Sequence, residues 1–295
     1  LLYQPFLLIS HFSGKRRGLL KGIVNYGSGI FAGGYLSWSL IEGRIEPKVE
    51  VVDLELEGLP SSFNALQISD LHLGGLMDRN ALKKVIRQAN ALKADAVFLT
   101  GDIIDSKLSE VADFLDEFLE LQAPLGVYFV LGNHEYLYDI GALLDAIRAV
   151  GIIVLENENI LLKRGNQGLV NLVGVYDLFG RRIGVLEPDL PKALKGIQSS
   201  LPTILLAHQP KFVLEVEEKD KIDLVMSGHT HGGQIFPFGL LVMLDQPYLH
   251  GLYQHSPTTK IYVNRGTAFW GPPMRVLARA EITYYKFSPK QEIVL

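Results

Sequence analysis

Cysteine is absent from the 295 residues. That excludes disulfides, thiolate-ligated zinc and thiol nucleophiles together, without disclosing the compartment. A dominant charge is missing as well, the formal net charge being −4. Nothing argues for a polyanion-binding surface, so nucleic acid is not an expected partner. Internal repeats and low-complexity tracts are also lacking. Apolar residues are plentiful: 48% of the chain is hydrophobic and the mean hydropathy is +0.19. That is high for a soluble enzyme and suggests a membrane segment beside one large α/β domain.

Residues 22–41 carry no charged side chain. About twenty helical residues span roughly 30 Å, the thickness of bilayer hydrocarbon. Many of these residues are small, which suits helix packing in lipid. Lys15, Arg16, Arg17 and Lys21 precede the stretch and belong on the cytoplasmic side, so the region after Glu42 and Glu46 is exported. Two other readings stand beside this one. The plainer alternative is a buried, glycine-rich core helix. Alternatively, Arg16-Arg17 before an apolar run resembles a twin-arginine export signal, kept as an anchor because no small-x-small cleavage site follows. The chain opens on Leu1, and residues 1–12 read as the end of an upstream membrane helix. The expected layout is then a basic cytoplasmic segment over 13–21, a transmembrane helix or uncleaved signal anchor over 22–41, a linker and first strand over 42–60, and a catalytic domain over 61–295.

Five short apolar runs each end in a residue able to bind a hard or borderline metal ion. They are ALQIS before Asp70-Leu71-His72, AVFLT before Gly101-Asp102, VYFVL before Gly132-Asn133-His134, TILLA before His208, and DLVMS before Gly228-His229-Thr230-His231. Such runs, bounded by glycine or a turn, read as buried strands. Ligands at the carboxyl ends of adjacent strands in an α/β sheet point into one crevice. Amphipathic stretches follow the first strands: Asp78 reads as an N-cap before Leu82, Val85, Ile86, Ala89 and Leu92. Val111, Phe114, Leu115, Phe118 and Leu119 repeat the spacing, as do Ile140, Leu143, Leu144 and Ile147. This alternation predicts a partly parallel sheet. Further on, Gly165-Asn166-Gln167-Gly168 signals a hairpin, and 260–264 and 276–287 look like strands without helices between them. The expectation is a second, more antiparallel sheet packed on the first.

Asp70-x-His72 sets two ligands two apart in extended backbone, projecting to one side. Asp102 stands where two cations compete for it; ions roughly 3.5–4 Å apart repel unless an anion is shared between them. Asp105 either orients a histidine or caps a helix. Asn133 adds a neutral oxygen, which limits negative charge at the site. His134 is free to act as a hydrogen-bond donor to a phosphate oxygen or as a proton donor to the leaving alkoxide, with Asp105 helping it hold a proton. His208 ends another strand. His229 and His231, one residue apart and flanked by glycines, form a compact claw. Five of the eight histidines fall in these motifs. Asp, Asn and His without sulfur suit a pair of divalent cations, manganese, iron or zinc.

The ordered series Asp-x-His, Gly-Asp-x-x-Asp, Gly-Asn-His-Glu, His and Gly-His-x-His resembles the calcineurin-like metallophosphoesterase family, over residues 65–287. The resemblance implies an α/β fold, a four-layer α/β/β/α sandwich of two mixed sheets. It implies one metal held by Asp70, His72, Asp102 and His231, a second held by Asp102, Asn133, His208 and His229, and His134 as the catalytic histidine. Gly-His-Thr-His-Gly-Gly-Gln-Ile after a basic membrane segment is similar to a membrane-bound or twin-arginine-exported subgroup that includes transmembrane proteins with a metallophosphoesterase domain. That subgroup favours manganese. Some relatives hydrolyse UDP-diacylglucosamine in lipid A synthesis, although export would set this site across the membrane from a cytoplasmic nucleotide sugar. The expected function is hydrolysis of a phosphoester, lipid-linked or from the cell envelope, by a hydroxide that two metal ions activate. The protein would be membrane-anchored with an extracytoplasmic catalytic domain. A non-catalytic metal-binding scaffold and a membrane receptor are the competing classes, and the presence of His134 speaks against the scaffold. Gln234 and Arg275 are candidates to meet substrate oxygens. Tyr248, Tyr253, Phe269, Trp270 and Met274 are candidates for an apolar rim.

Overall fold

Apolar runs without alternation belong on strands covered on both faces. A computed structural model describes residues 14–290, so the helix end expected over 1–12 lies outside the described residues. In it, β2 (Phe63–Ile68), β3 (Ala96–Thr100), β4 (Val127–Val130), β8 (Thr203–Leu206) and β9 (Leu224–Ser227) are the five ligand-bearing runs. Every residue of β3, β8 and β9 is buried.

The first sheet adds β1 (Lys48–Leu56), β5 (Ile153–Val154) and β12 (Glu281–Pro289), in the order β1-β12-β2-β3-β4-β5. Its strands are parallel except where β12 meets β2. β1, expected alongside the linker, pairs with β12 from Lys48 to Leu56 and is part of the sheet. The second sheet has the order β10-β11-β9-β8-β7-β6, with β6 (Glu158–Arg164), β7 (Gln167–Gly174), β10 (Gly251–Gln254) and β11 (Lys260–Val263). It is antiparallel only at its edges, β6–β7 and β10–β11; from β11 to β7 it is parallel. Its crossovers lack the helical period that would have announced them. Between β8 and β9 the chain returns through 3-10 turns at Pro210–Glu215 and Glu218–Asp220 instead of a helix. The strand expected from Val276 begins only at Glu281; Val276 forms a single bridge to Ile235.

α2 (Arg79–Ala91), α3 (Leu108–Leu115) and α4 (Ile140–Ala149) cover the outer face of the first sheet. Asp78 caps α2 by accepting from Ala81 N at 2.8 Å. α3 gives way early to a 3-10 turn at Asp116–Glu120, which leaves Leu119 in solvent. Between the sheets lies a core that includes Phe63, Phe98, Leu172, Tyr285 and Phe287. The outer face of the second sheet is covered by Leu190 and Ala193 on the short helix Leu190–Ala193 and by Phe212 and Val213 on the 3-10 turn Pro210–Glu215. The layers are therefore α/β/β/α, with two mixed sheets.

α1 (Gly14–Glu42) is 29 residues long. No helix among the described residues is long and apolar enough to cross a membrane, so the transmembrane helix expected over 22–41 is not shown. Glycines, serines and Asn25 dilute that stretch. It is not a buried core helix either: Tyr26 and Ile30 are 78% and 77% exposed. The carboxyl-terminal end of α1 docks on the body, where Arg275 N donates to Ser39 O at 2.9 Å and Tyr35 donates its hydroxyl to Phe236 O.

One polar contact joins the sheets directly beneath the ligand-bearing ends. Gln67 Nε2 donates to Thr100 Oγ1 at 2.8 Å within the first sheet and to Ser227 O at 2.9 Å across to the second. Tyr285 donates to its Oε1 at 2.6 Å. Gln67→Leu takes the Gln67 partner from the buried hydroxyls of Thr100 and Tyr285 and leaves Ser227 O with Asn264 N as its remaining donor, so unfolding in urea should show a loss of about 1–3 kcal/mol; a loss below about 0.5 kcal/mol would refute the bridge.

Candidate metal centre

Each candidate ligand stands two to four residues beyond a strand end, where the chain must turn sharply to aim a side chain back into the cleft between the two sheets. The turn is made in left-handed backbone. Asp70, His72, Asp102, His229 and His231 have φ of 55°, 46°, 51°, 70° and 50°, a region that costs non-glycine residues energy and collects at functional sites. Gly101, at φ 84°, leaves no space for a side chain: a Cβ there would lie 2.5 Å from His208 Nδ1. A Cβ on Gly228 would overlap Ser69 and the Asp70 carboxylate.

The structure gathers the ligand atoms into three overlapping groups, each within 4.8 Å: Asp70 with His72 and His231, His72 with Asp102 and His134, and Asp102 with His208 and His229. His72 Nε2 faces His231 Nε2 at 3.0 Å. His208 Nε2 lies 3.1 Å from Asp102 Oδ2 and 3.2 Å from His229 Nδ1. His231 Nε2 is 3.4 Å from Asp70 Oδ1. Asn133 Oδ1 is buried without a hydrogen-bond donor among the described residues. An orphaned amide oxygen, imidazole nitrogens facing one another and two buried carboxylates are the donor set that two divalent cations require, and the residues fit them. His208 Nδ1 meets Thr100 O at 2.8 Å. That contact holds the proton on Nδ1 and turns the Nε2 lone pair into the cleft.

Burial pushes the Asp70 carboxyl up, and the charge of Asp102 adds to the effect. Burial also opposes charge on Asp102, but the charge and hydrogen bond of His208 outweigh it and hold that carboxyl well below its ordinary range. His208 is raised well above an ordinary imidazole: burial works against it, and Asp102 prevails. A proton on His208 thus occupies the place where a cation would sit. Burial, then the charge of His208, brings His229 down to about 3. Burial, then His72 and Arg275, lowers His231. Both are neutral and available as ligands.

Asp105 lies outside the ligand groups and accepts from His134 Nδ1 at 2.7 Å. The neighbouring Glu135 has no expected role, yet it is the most heavily used carboxylate of the site. It accepts from the backbone N–H groups of Gly132 and Ile103, each at 2.7 Å, Ile104 at 3.0 Å and Asp102 at 3.1 Å, which fastens the Asp102 turn to the Asn133 turn. Burial pushes its carboxyl up to about 7, Asp102 adding to the effect, while the N–H of Ile104 draws it down. A buried anion-sized acceptor at the fourth motif residue was visible in Gly-Asn-His-Glu, but its partners are backbone and leave no mark in sequence.

Arg275 does not face the cleft. It is fully buried and donates to the carbonyls of Arg265, Gly266, Ala268, Ala278 and His231, with Nη2 3.3 Å from His231 Nδ1. It staples the loops behind His231 and has no N–H directed at a substrate. Gln234 borders the cleft, but its amide is spent on Trp270: Nε2 donates to Trp270 O at 2.8 Å and Oε1 accepts from Trp270 N at 2.9 Å. The Trp270 ring, 6.0 Å from that of His134, is the member of the expected rim that lines the cavity. Tyr248 packs instead on Tyr253, 4.6 Å between ring centroids. The cavity over the ligands measures about 1340 Å³; the rest of its wall comes from α1 and residues 235–242.

Comparison with known proteins places this geometry. The model of the family described as calcineurin-like phosphoesterase matches residues 63–233. An uncharacterized metallophosphoesterase of Helicobacter pylori is 40% identical over 281 residues, 95% of this chain and 75% of that protein. One of Campylobacter jejuni is 38% identical, over 87% of this chain and 68% of that protein. A Danio rerio protein named transmembrane protein with metallophosphoesterase domain is 36% identical, over 83% of this chain and 58% of that protein.

Glu135→Gln replaces one acceptor oxygen by an amide that faces backbone N–H donors. Calorimetric titration should then show manganese affinity about 10–100-fold lower than wild type; equal affinity would remove Glu135 from the support of the centre.

Proposed function

Because the chain belongs to the calcineurin-like phosphoesterase family, metal-dependent hydrolases of phosphoester bonds, we propose that it cleaves a lipid-linked or cell-envelope phosphoester at a centre of two divalent ions. Asp70, His72, Asp102 and His231 hold one ion; Asp102, Asn133, His208 and His229 hold the other. The observation that carries the reading is the place of Asp102, shared between the His72 and the His208 groups. A donor set of Asp, Asn and His suits manganese, iron or zinc; manganese is the ion we assign, because the resemblance to the membrane-bound subgroup favours it.

When bound, the ions acidify water and draw off the charge that builds on phosphoryl oxygens. The chain's own residues do the rest. Asp105 fixes the His134 ring through Nδ1, 2.7 Å away, leaving Nε2 in the cleft 3.9 Å from Asp102 Oδ2. Burial opposes a charge on His134, but the Asp105 hydrogen bond and the charge of Asp102 raise its pKa above the ordinary value. It therefore serves as a donor to a phosphate oxygen or to the leaving alkoxide. Attachment to a membrane through the amino-terminal segment belongs to the same reading. Arg16, Arg17 and Lys21 support it.

Chromogenic phosphodiesters and phosphomonoesters, assayed with manganese and with chelator, test the reaction class. Turnover of at least one ester that vanishes on chelation is expected; turnover of neither ester with manganese, iron or zinc overturns it. His134→Ala should keep its metal content while kcat falls about 10²–10⁴-fold. Wild-type turnover in that variant would reject the role of His134.

A further inference from the structure

The apolar surface of this protein is concentrated on one rim. On α1, Leu19, Ile23, Tyr26 and Ile30 recur at helical spacing, so they share one face, and all four are exposed. Beyond the Gly-His-Thr-His-Gly-Gly motif, the segment 236–244, which includes the short helix Gly239–Val242, adds a second set. Leu244 is 83% exposed, and Phe236, Phe238 and Leu241 are more than half exposed. The two sets meet where Tyr35 bonds to Phe236 O.

The same surface continues inward. α1 supplies Phe31, Tyr35 and Leu36 to one side of the cavity, segment 236–244 supplies Phe236, Phe238 and Leu241 to the other, and His72, Asp102, Asn133, His134, His229 and His231 are at its floor. A soluble phosphoester of ordinary polarity has no use for such walls. A protein seated across both sets would cover the mouth of the cavity. A bilayer covers the rim and also contains phosphoesters. Arg16, Arg17 and Lys21 stand at the amino-terminal end of the α1 stripe, which suits an anionic headgroup layer.

Resting on the phosphoesterase reading, we propose that α1 and segment 236–244 seat on an anionic bilayer surface and that the cavity takes from it a phosphoester bearing a long hydrocarbon chain. The chain lies between the walls of α1 and segment 236–244, and the phosphate reaches the floor.

Two measurements on the full chain test this. In sedimentation with vesicles of phosphatidylglycerol and phosphatidylcholine in equal parts, the protein should pellet, and the double variant Ile30→Glu, Leu244→Glu should bind at least about tenfold less tightly, since both side chains lie outside the cavity. Protein that stays in the supernatant, or a variant that binds as wild type, overturns the docking. With manganese present, two substrate pairs are compared: p-nitrophenyl hexadecyl phosphate against its methyl counterpart, and phosphatidic acid against glycerol phosphate. In at least one pair kcat/KM for the long-chain member should be at least about tenfold higher. A smaller preference in both pairs overturns this proposal while leaving the phosphoesterase reading intact; no turnover of any of the four defeats the phosphoesterase reading itself.

Discussion

Two carboxylates, Asp70 and Asp102, are buried at 0% and 2% exposure, near enough for each to feel the other's charge. Removing both from water is tolerable only with positive charge beside them. The surrounding protein is arranged to supply it. Burial pushes the Asp70 carboxyl upward, while His208 holds Asp102 down and is itself raised by it. A cation beside the two carboxylates would offset the same cost, and Asn133, His229 and His231 would join it without adding negative charge.

The backbone bears its own share of this constraint. Ligands in left-handed conformation just past the strand ends are held there by groups that touch no substrate. Glu135 gathers four N–H donors from two turns, and Arg275 gathers five carbonyls behind His231. Gln67 ties the two sheets together below them. Rigidity of this kind lets residues from both sheets keep positions that none would adopt alone.

The amino-terminal helix changes what the centre can reach. Much of its apolar surface is uncovered, and it forms part of the cavity wall. Polarity therefore changes over a short distance, from charged ligands on the floor to hydrocarbon at the rim. An amphiphilic phosphoester has the same gradient.

Much was legible in the sequence. The apolar runs, their terminal Asp, Asn and His, and the cap at Asp78 are local signals, and strand, turn and helix preferences act over a few neighbouring residues. Those signals foretold the strands, the helices α2 to α4 and the convergence of ligands, and the ordered motifs resembled one family. The parallel interior of the second sheet was not legible, because its crossovers carry only 3-10 turns and helices of four or five residues, too short to show a helical period. Nor was the fate of Arg275 and Gln234: their partners are carbonyls and a peptide N–H of distant loops, and a peptide group looks the same in every residue. The uncovered face of α1 was also decided by tertiary structure alone, since composition states that a stretch is apolar but only packing determines which side of it is left without a neighbour.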